Sequence, residues 1–448
     1  GKERRIEEVK QEYYSHRETR SANSGMSLRD WKERILFRSL EISKLKMSTP
    51  VYRDQWNVQA SDIARRTHNP IRSIVECLVV EPNPAKSMIS LSIGDPTTFG
   101  NLKPPKELID AVQQSLVSQL YNGYAPSTGR WLSNGMLILD PLNSLFFQDV
   151  ILCSGCSSAL DLCITALARR GQNILIPRPG FSIYRTLAEG LGINVKSYEL
   201  RPELGWEIDL DSLESQIDEF TAAIVINNPS NPCGSVFSKD HTLDILDVAA
   251  RYYIPIIADE IYEHMVFPGR TFHSLASLSK EVPILSCSGL TKRFLVPGWR
   301  MGWIIIHDRQ NVLEKEVALL CLSQRTIGSN TLIQGALPII LKNTPQEFYD
   351  GVDHSKTVYN CVTKISGLKP IMPDGAIARS IGRFRRLSAS QFFSQCFDYP
   401  SYMRLVITVP IDMLEEACQR IQEFCERHHY KTAEDTHICD DVLFQPEW

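Results

Sequence analysis

Lys292 lies in the run Ser288-Gly289-Leu290-Thr291-Lys292-Arg293-Phe294-Leu295-Val296-Pro297-Gly298-Trp299-Arg300-Met301-Gly302, with Arg300 eight positions further on across a Pro-Gly turn. A lysine amine approached through small residues can hold an aldehyde cofactor as a Schiff base, and an arginine can clamp its phosphate. An isolated lysine is usually a surface group. Some 30 residues earlier, however, Ala258-Asp259-Glu260-Ile261-Tyr262 closes a strand-like apolar run. Together the two segments supply an amine, a carboxylate, a phenol and a guanidinium. That is the set pyridoxal phosphate chemistry requires.

Each group has a physical reason to be there. Asp259 follows Ile254-Pro255-Ile256-Ile257-Ala258, so its carboxylate emerges at the end of a buried strand. A buried unpaired carboxylate costs several kcal/mol or takes up a proton. A protonated pyridine nitrogen would satisfy it, as would an ordinary arginine, and Tyr262 can turn its hydroxyl to the same place. A Schiff-base lysine needs a lowered pKa, expected here from burial and from a nearby cation such as Arg300. Asn227-Asn228-Pro229-Ser230-Asn231-Pro232-Cys233-Gly234 is a loop stiffened by two Asn-Pro steps, which hold the pre-proline residues out of the helical region. Its amides could donate to a phenolate or a carboxylate. Ser154-Gly155-Cys156 sits between a strand and a helix start, where free amides favour an anion. Taken alone, the Asn-Pro loop reads equally well as an ordinary βα turn, and Ser154-Gly155-Cys156 reads as a simple Ser-Gly turn with an N-cap.

The elements that must carry these groups alternate along the chain. Short, nearly all-apolar runs at Val150–Leu152, Asn173–Pro177, Ala222–Asn227, Ile254–Asp259 and Pro283–Ser286 are strands. Helix-like stretches intervene at Ser157–Ala168, Phe181–Gly190 and Lys239–Arg251. Apolar strands between helices mark a mostly parallel sheet covered on both faces, an α/β fold with ligands at the carboxyl ends of its strands. Beyond Arg325 the pattern is helical, with a long helix expected over Glu347–Ser366. A strand at Leu405–Val409 and a helix at Met413–Arg427 follow.

With 448 residues, 43% of them hydrophobic, the chain can bury a large core over more than one domain. A formal charge of −4 supplies no basic field for nucleic acid, and no apolar run reaches the ~20 residues of a membrane span. The 12 cysteines show no zinc-type pairing; Cys153 and Cys156 lack a second pair at metal spacing, so no metal is expected. Reduced thiols and the lack of an apolar leader at Gly1 suit a cytoplasmic enzyme, with a mitochondrial one as the alternative.

The pattern Gly289-Leu-Thr-Lys292-x-x-Leu-Val-x-Gly-x-Arg300-Met-Gly302 resembles the cofactor-attachment signature of the class I pyridoxal-phosphate-dependent aminotransferases. Supporting stretches are Ile89–Thr97, Tyr121–Ser127, Ile174–Ser182, Asn227–Lys239, Ala258–Phe267 and Arg404–Pro410, most similar to tyrosine-type members. The resemblance implies the fold type I architecture, with a large domain built on a mostly parallel central sheet and a smaller α+β domain. It also implies a homodimer acting on small molecules, an aromatic amino acid and a 2-oxo acid. The reaction would be transamination of tyrosine with 2-oxoglutarate to 4-hydroxyphenylpyruvate and glutamate.

Under this resemblance Lys292 would carry the Schiff base and shuttle the proton, and Asp259 would pair with the pyridine nitrogen. Tyr262 and Asn231 would hold the 3-oxygen, and Phe181 would stack on the ring. Arg300 with Ser154, Gly155 and Cys156 would bind the phosphate, joined by Tyr124 of the neighbouring subunit. Arg404 would grip the substrate carboxylate, aided by Asn231 and the backbone near Gly94. The large domain is expected over 101–344 and the small one over 56–100 and 345–430, between an N-terminal extension (1–55) and a tail (431–448). Two segments, 130–148 and 377–395, depart from the family pattern. Another class I specificity, or an impaired enzyme, is therefore the alternative expectation.

Overall fold

The structure is a computed structural model that describes residues 58–77, 81, 83–92, 94–130, 149–313, 319, 321–350, 362–363, 365, 369–371, 373–376, 378–382, 397–399 and 402–428. Contacts divide the chain into Gly1–Gln59 and Ala60–Trp448, and everything below concerns the second unit. The N-terminal extension, the tail and nearly all of the atypical segment 130–148 lie outside the described residues.

Among the described residues the large sheet has eight strands. They are β1 (Val150–Cys153), β2 (Asn173–Arg178), β3 (Asn194–Arg201), β4 (Glu207–Ile208), β5 (Thr221–Asn227), β6 (Ile256–Asp259), β7 (Ile284–Gly289) and β8 (Gly302–His307). Their order across the sheet is β1-β8-β7-β6-β5-β2-β3-β4. Strands β7, β6, β5, β2 and β3 are mutually parallel, whereas β8 runs antiparallel to both β1 and β7. The carboxyl ends of β1, β2, β3, β5, β6 and β7 therefore share one edge.

Strand period explains why these runs are apolar throughout. Alternate residues face opposite sides: Ile174, Ile176, Ala223, Val225, Ile257, Leu285 and Cys287 enter one core. Their neighbours Leu175, Ile224, Ile226, Ile256, Ala258 and Ile284 enter another. The first core is covered by helices α2 (Cys156–Leu167) and α3 (Ile183–Leu191). The second is covered by α4 (Lys239–Arg251), whose start is capped by the Ser238 hydroxyl accepting from the His241 amide. Asp259 shares the parity of Ile257, so it faces α2 and α3. A third core joins Val150, Leu152 and Trp303 to α1 (Lys106–Ser118) and α6 (Thr331–Asn343); the short α5 (Leu290–Arg293) follows β7.

A second, antiparallel sheet has the order β11-β10-β9, with β9 at Lys369–Pro370, β10 at Ala378–Gly382 and β11 at Met403–Val406. Helix α7 (Ile411–His428) follows it. A separate cluster packs Leu405, Ile407, Val409, Leu414 and Cys418 with Ile89, Leu91 and Phe99. Distant parts of the chain thus share a small core. The atypical segment 377–395 contributes β10, and Ser380 stands opposite Arg404 in the register; residues 383–396 lie outside the described ones.

Three expected boundaries move. The strand foreseen at Leu405–Val409 ends at Val406, β7 runs on to Gly289, and the helix foreseen from Glu347 is described only over Gln346–Asp350. Among the described residues no helix is long and apolar enough to cross a membrane.

Candidate active site

The strand ends converge on one edge, as the sheet order requires. Asp259 closes β6 and is buried, with 3% of its surface exposed. The Tyr184 hydroxyl of α3 donates to its Oδ2 at 2.6 Å. Its Oδ1 accepts from the Cys156 thiol at 3.6 Å and from the Ile261 amide at 3.4 Å. Burial raises the Asp259 pKa, and these three donors oppose the rise. The donors are all neutral, so the carboxylate is short of a cation.

Lys292 lies in α5, one turn past the end of β7, and donates from Nζ to the Gly94 carbonyl at 2.7 Å. Burial lowers its pKa to about 8, helped by the charge of Arg404 and opposed by Asp95. The cation expected to lower it was Arg300. The structure corrects this: Arg404 is the cation that acts on Lys292, because Arg300 is turned towards the end of β1. The Lys292 amine also stands 5.9 Å from the centroid of the buried Tyr262 ring. Burial raises the Tyr262 phenol as well, again against the Arg404 charge.

Arg404 sits on β11 and reaches back to the large sheet. Its guanidinium donates to the Asn231 Oδ1 at 2.8 Å and to the Ser92 carbonyl at 2.9 Å. The Phe397 ring lies 5.0 Å from the guanidinium carbon. Asn231 is itself held, its amide donating to the Asn227 Oδ1 at 2.7 Å. The Asn227 side-chain amide in turn donates to the Asp259 carbonyl at 3.0 Å. The Asn-Pro loop after β5 is thereby tied to the Asp259 strand end on one side and to Arg404 on the other.

Arg300 closes a separate cradle. Its guanidinium donates to the Ser154 carbonyl at 3.3 Å and to the Pro297 carbonyl at 3.1 Å. Its φ of 50° lies in the left-handed region that non-glycine residues seldom occupy, a strain commonly stored at functional sites. Gly155 precedes α2 with a φ of 81°, and a Cβ there would meet the Arg300 Nη2 at 2.5 Å. A Cβ at Gly302 would meet the Gly155 carbonyl carbon at 2.4 Å. The turn, the helix start and the guanidinium leave no room for larger residues. The Cys156 backbone opens the helix at this cradle, while its thiol points to Asp259.

Phe181 is partly buried and meets the Tyr184 ring edge-on at 6.0 Å. Tyr124 stands apart, 90% exposed, in the non-helical stretch after α1. Tyr184, Asn227, Ser92 and Phe397 are the residues of this constellation that site reasoning from sequence did not assign. For Tyr184 one signal existed, since a tyrosine on the buried face of a helix must find a partner for its hydroxyl.

These residues fit pyridoxal phosphate on structural grounds. Asp259 offers a buried anion to a ring cation, Lys292 offers an amine of lowered basicity, and a cradle too tight for a Cβ offers a guanidinium and helix amides to a phosphate.

The comparisons agree with the geometry. Residues 86–421 match the model of the family described as aminotransferase class I and II. The chain is 51% identical over 415 residues to the tyrosine aminotransferase of Mus musculus, covering 86% of this chain and 91% of that protein. It is 41% identical over 417 residues to the one from Dictyostelium discoideum, covering 86% and 100%. The crystal structure of the tyrosine aminotransferase from Leishmania infantum superposes with a TM-score of 0.79 at 32% identity, covering 84% of this chain and 100% of that one. The chain belongs to the class I and II aminotransferases. It is an aminotransferase, and its cofactor is pyridoxal phosphate.

Proposed function

We propose that this enzyme moves the amino group of L-tyrosine to 2-oxoglutarate, giving 4-hydroxyphenylpyruvate and glutamate. Relatives that carry the name tyrosine aminotransferase, 41% and 51% identical over most of the chain, support the donor. The observation that carries the chemistry is that Lys292 Nζ and the Arg404 guanidinium donate to neighbouring carbonyls of one segment, Gly94 at 2.7 Å and Ser92 at 2.9 Å.

Bound pyridoxal phosphate supplies an electron sink for the pair released when the substrate Cα–H bond breaks. Lys292 Nζ would hold the cofactor and, as a free amine, would take the proton from the substrate Cα. General acid–base transfer of this kind contributes roughly 10²–10⁴-fold. Its pKa of about 8 leaves a useful fraction of neutral amine near pH 7. Arg404 binds the α-carboxylate through its planar fork, which turns the Cα–H bond towards Lys292. Asn231 holds that guanidinium and, with Tyr262, the 3-oxygen. Asp259 would offer the ring nitrogen a buried carboxylate to pair with. Arg300, Ser154, Gly155 and Cys156 bind the phosphate, and Phe181 covers the ring.

The same reading includes a large domain over 101–344, a small domain over 56–100 and 345–430, and a cytoplasmic homodimer. In that dimer the exposed Tyr124 reaches the partner's phosphate site. The shared core of Leu91, Phe99, Leu405 and Leu414 supports the discontinuous small domain. A steady-state assay with tyrosine, phenylalanine and aspartate as donors to 2-oxoglutarate tests the specificity. The expected result is highest kcat/KM for tyrosine; preference for aspartate or absence of turnover contradicts it.

A further inference from the structure

Tyr184 is fully buried, at 0% exposure, yet carries a hydroxyl. Such a group in an apolar core costs free energy unless it is hydrogen-bonded. Its bond to the Asp259 Oδ2 is the shortest at that carboxylate, 2.6 Å. The other oxygen is taken by the Cys156 thiol and the Ile261 amide. Each oxygen therefore has its own donor from a different element, α3 on one side and α2 with the turn after β6 on the other. Such an arrangement prevents rotation of the carboxylate about its terminal bond.

We propose that Tyr184 is a positioning residue for the aminotransferase reaction, aided by the Cys156 thiol, fixing the Asp259 carboxylate as an anion aimed at the cofactor's ring nitrogen. This rests on the reading above, in which Asp259 pairs with that nitrogen. The chemistry of the donors supports the anionic form. Burial raises both the Tyr184 phenol and the Cys156 thiol, so each keeps its proton and can only give a hydrogen bond to a charged acceptor. An aspartic acid there would have its own proton to place against three donors. The titratable groups facing Asp259 are Tyr184 from α3, Cys156 from α2, Cys287 from β7 and Tyr262 from the turn after β6.

Tyr184→Phe keeps the ring and its edge contact with Phe181 while removing one donor. In the purified holoenzyme two readouts follow. The dissociation constant for pyridoxal phosphate should rise about tenfold or more, the size of a hydrogen bond to a charged group. The pH midpoint of the cofactor's visible absorbance should move upward by about one unit. A less firmly protonated ring withdraws less charge from the lysine-linked nitrogen, which then holds its proton to higher pH. Cys156→Ala should move the midpoint the same way by less, and Cys156→Ser, which restores a donor, should return it. A folded Tyr184→Phe with wild-type affinity and midpoint overturns the proposal. So does a Cys156 pair in which alanine and serine behave alike, should the Tyr184 variant not fold. Wild-type protein that takes up no pyridoxal phosphate overturns the underlying reading as well, and the two failures are distinguished by that control.

Discussion

At Lys292 two effects act in the same direction on one amine. Burial is the larger, and the Arg404 charge adds to it, bringing the pKa from 10.5 to about 8. An amine attacks an aldehyde only when neutral, so uptake of pyridoxal phosphate by the apoenzyme should rise with pH through about 8. Arg404→Gln removes the smaller cause and leaves burial, so the midpoint should shift upward but stay below 10.5. Stopped-flow uptake rates against pH measure this, and an unchanged midpoint would show that Arg404 does not act on the lysine. At this scale the sequence was informative where chemistry alone selects the residue. Lys292 and Asp259 stand out because their functional groups are costly in an apolar setting, whereas Arg404 was named only by the family resemblance. Their partners did not stand out: Tyr184 lies 75 positions from Asp259 in the chain and Arg404 lies 173 from Asn231. Local pattern carries no signal for such pairings, which is also why Arg300 was expected in the role that Arg404 fills.

Among the elements, β6 and the turn after it place two buried carboxylates, Asp259 and Glu260, side by side. Glu260, beside Asp259, is buried and accepts from the Leu275 amide at 2.9 Å and from the Ser274 hydroxyl at 3.0 Å. Burial pushes its pKa from 4.5 up to about 8. Between those values the folded state binds a proton that the unfolded chain does not, so stability falls as pH rises from about 4.5 to about 8. Glu260→Gln removes this dependence. Its denaturation midpoint should decline less than wild type across that window and exceed it above pH 8; parallel curves would contradict the assignment. The strands around this turn were legible because both of their faces are buried and the apolar runs are unbroken. Strand β3 was not, since Asn194, Lys196 and Glu199 break up its run at the edge of the parallel set and only Tyr198 and Leu200 are buried. Strand β10 was obscured for a different reason: its sequence departs from the family pattern, yet its pairing with β11 puts Ser380 opposite Arg404.

For the whole molecule, the division of labour follows from topology. The large sheet brings six strand ends to one edge, and the small sheet delivers Arg404 to the same place. Arg404 thereby couples the small core to Lys292. The 90% exposure of Tyr124 suits the proposed dimer, and the α/β class foreseen from the alternation of runs carries no such information by itself. Equilibrium sedimentation should give twice the 50.8 kDa chain mass. Tyr124→Phe should weaken pyridoxal phosphate in the dimer while leaving Asp259 and Lys292 untouched; a monomer that binds the cofactor at full strength would refute the shared site.

The most direct test of the central claim is a single turnover. Protein loaded with pyridoxal phosphate is mixed with L-tyrosine alone, and the visible absorbance is followed. The account predicts loss of the visible band with formation of one equivalent of 4-hydroxyphenylpyruvate per site, recovery on adding 2-oxoglutarate, and no such change in Lys292→Ala. A band unmoved by tyrosine in the wild-type enzyme, or an equal response in Lys292→Ala, would contradict it.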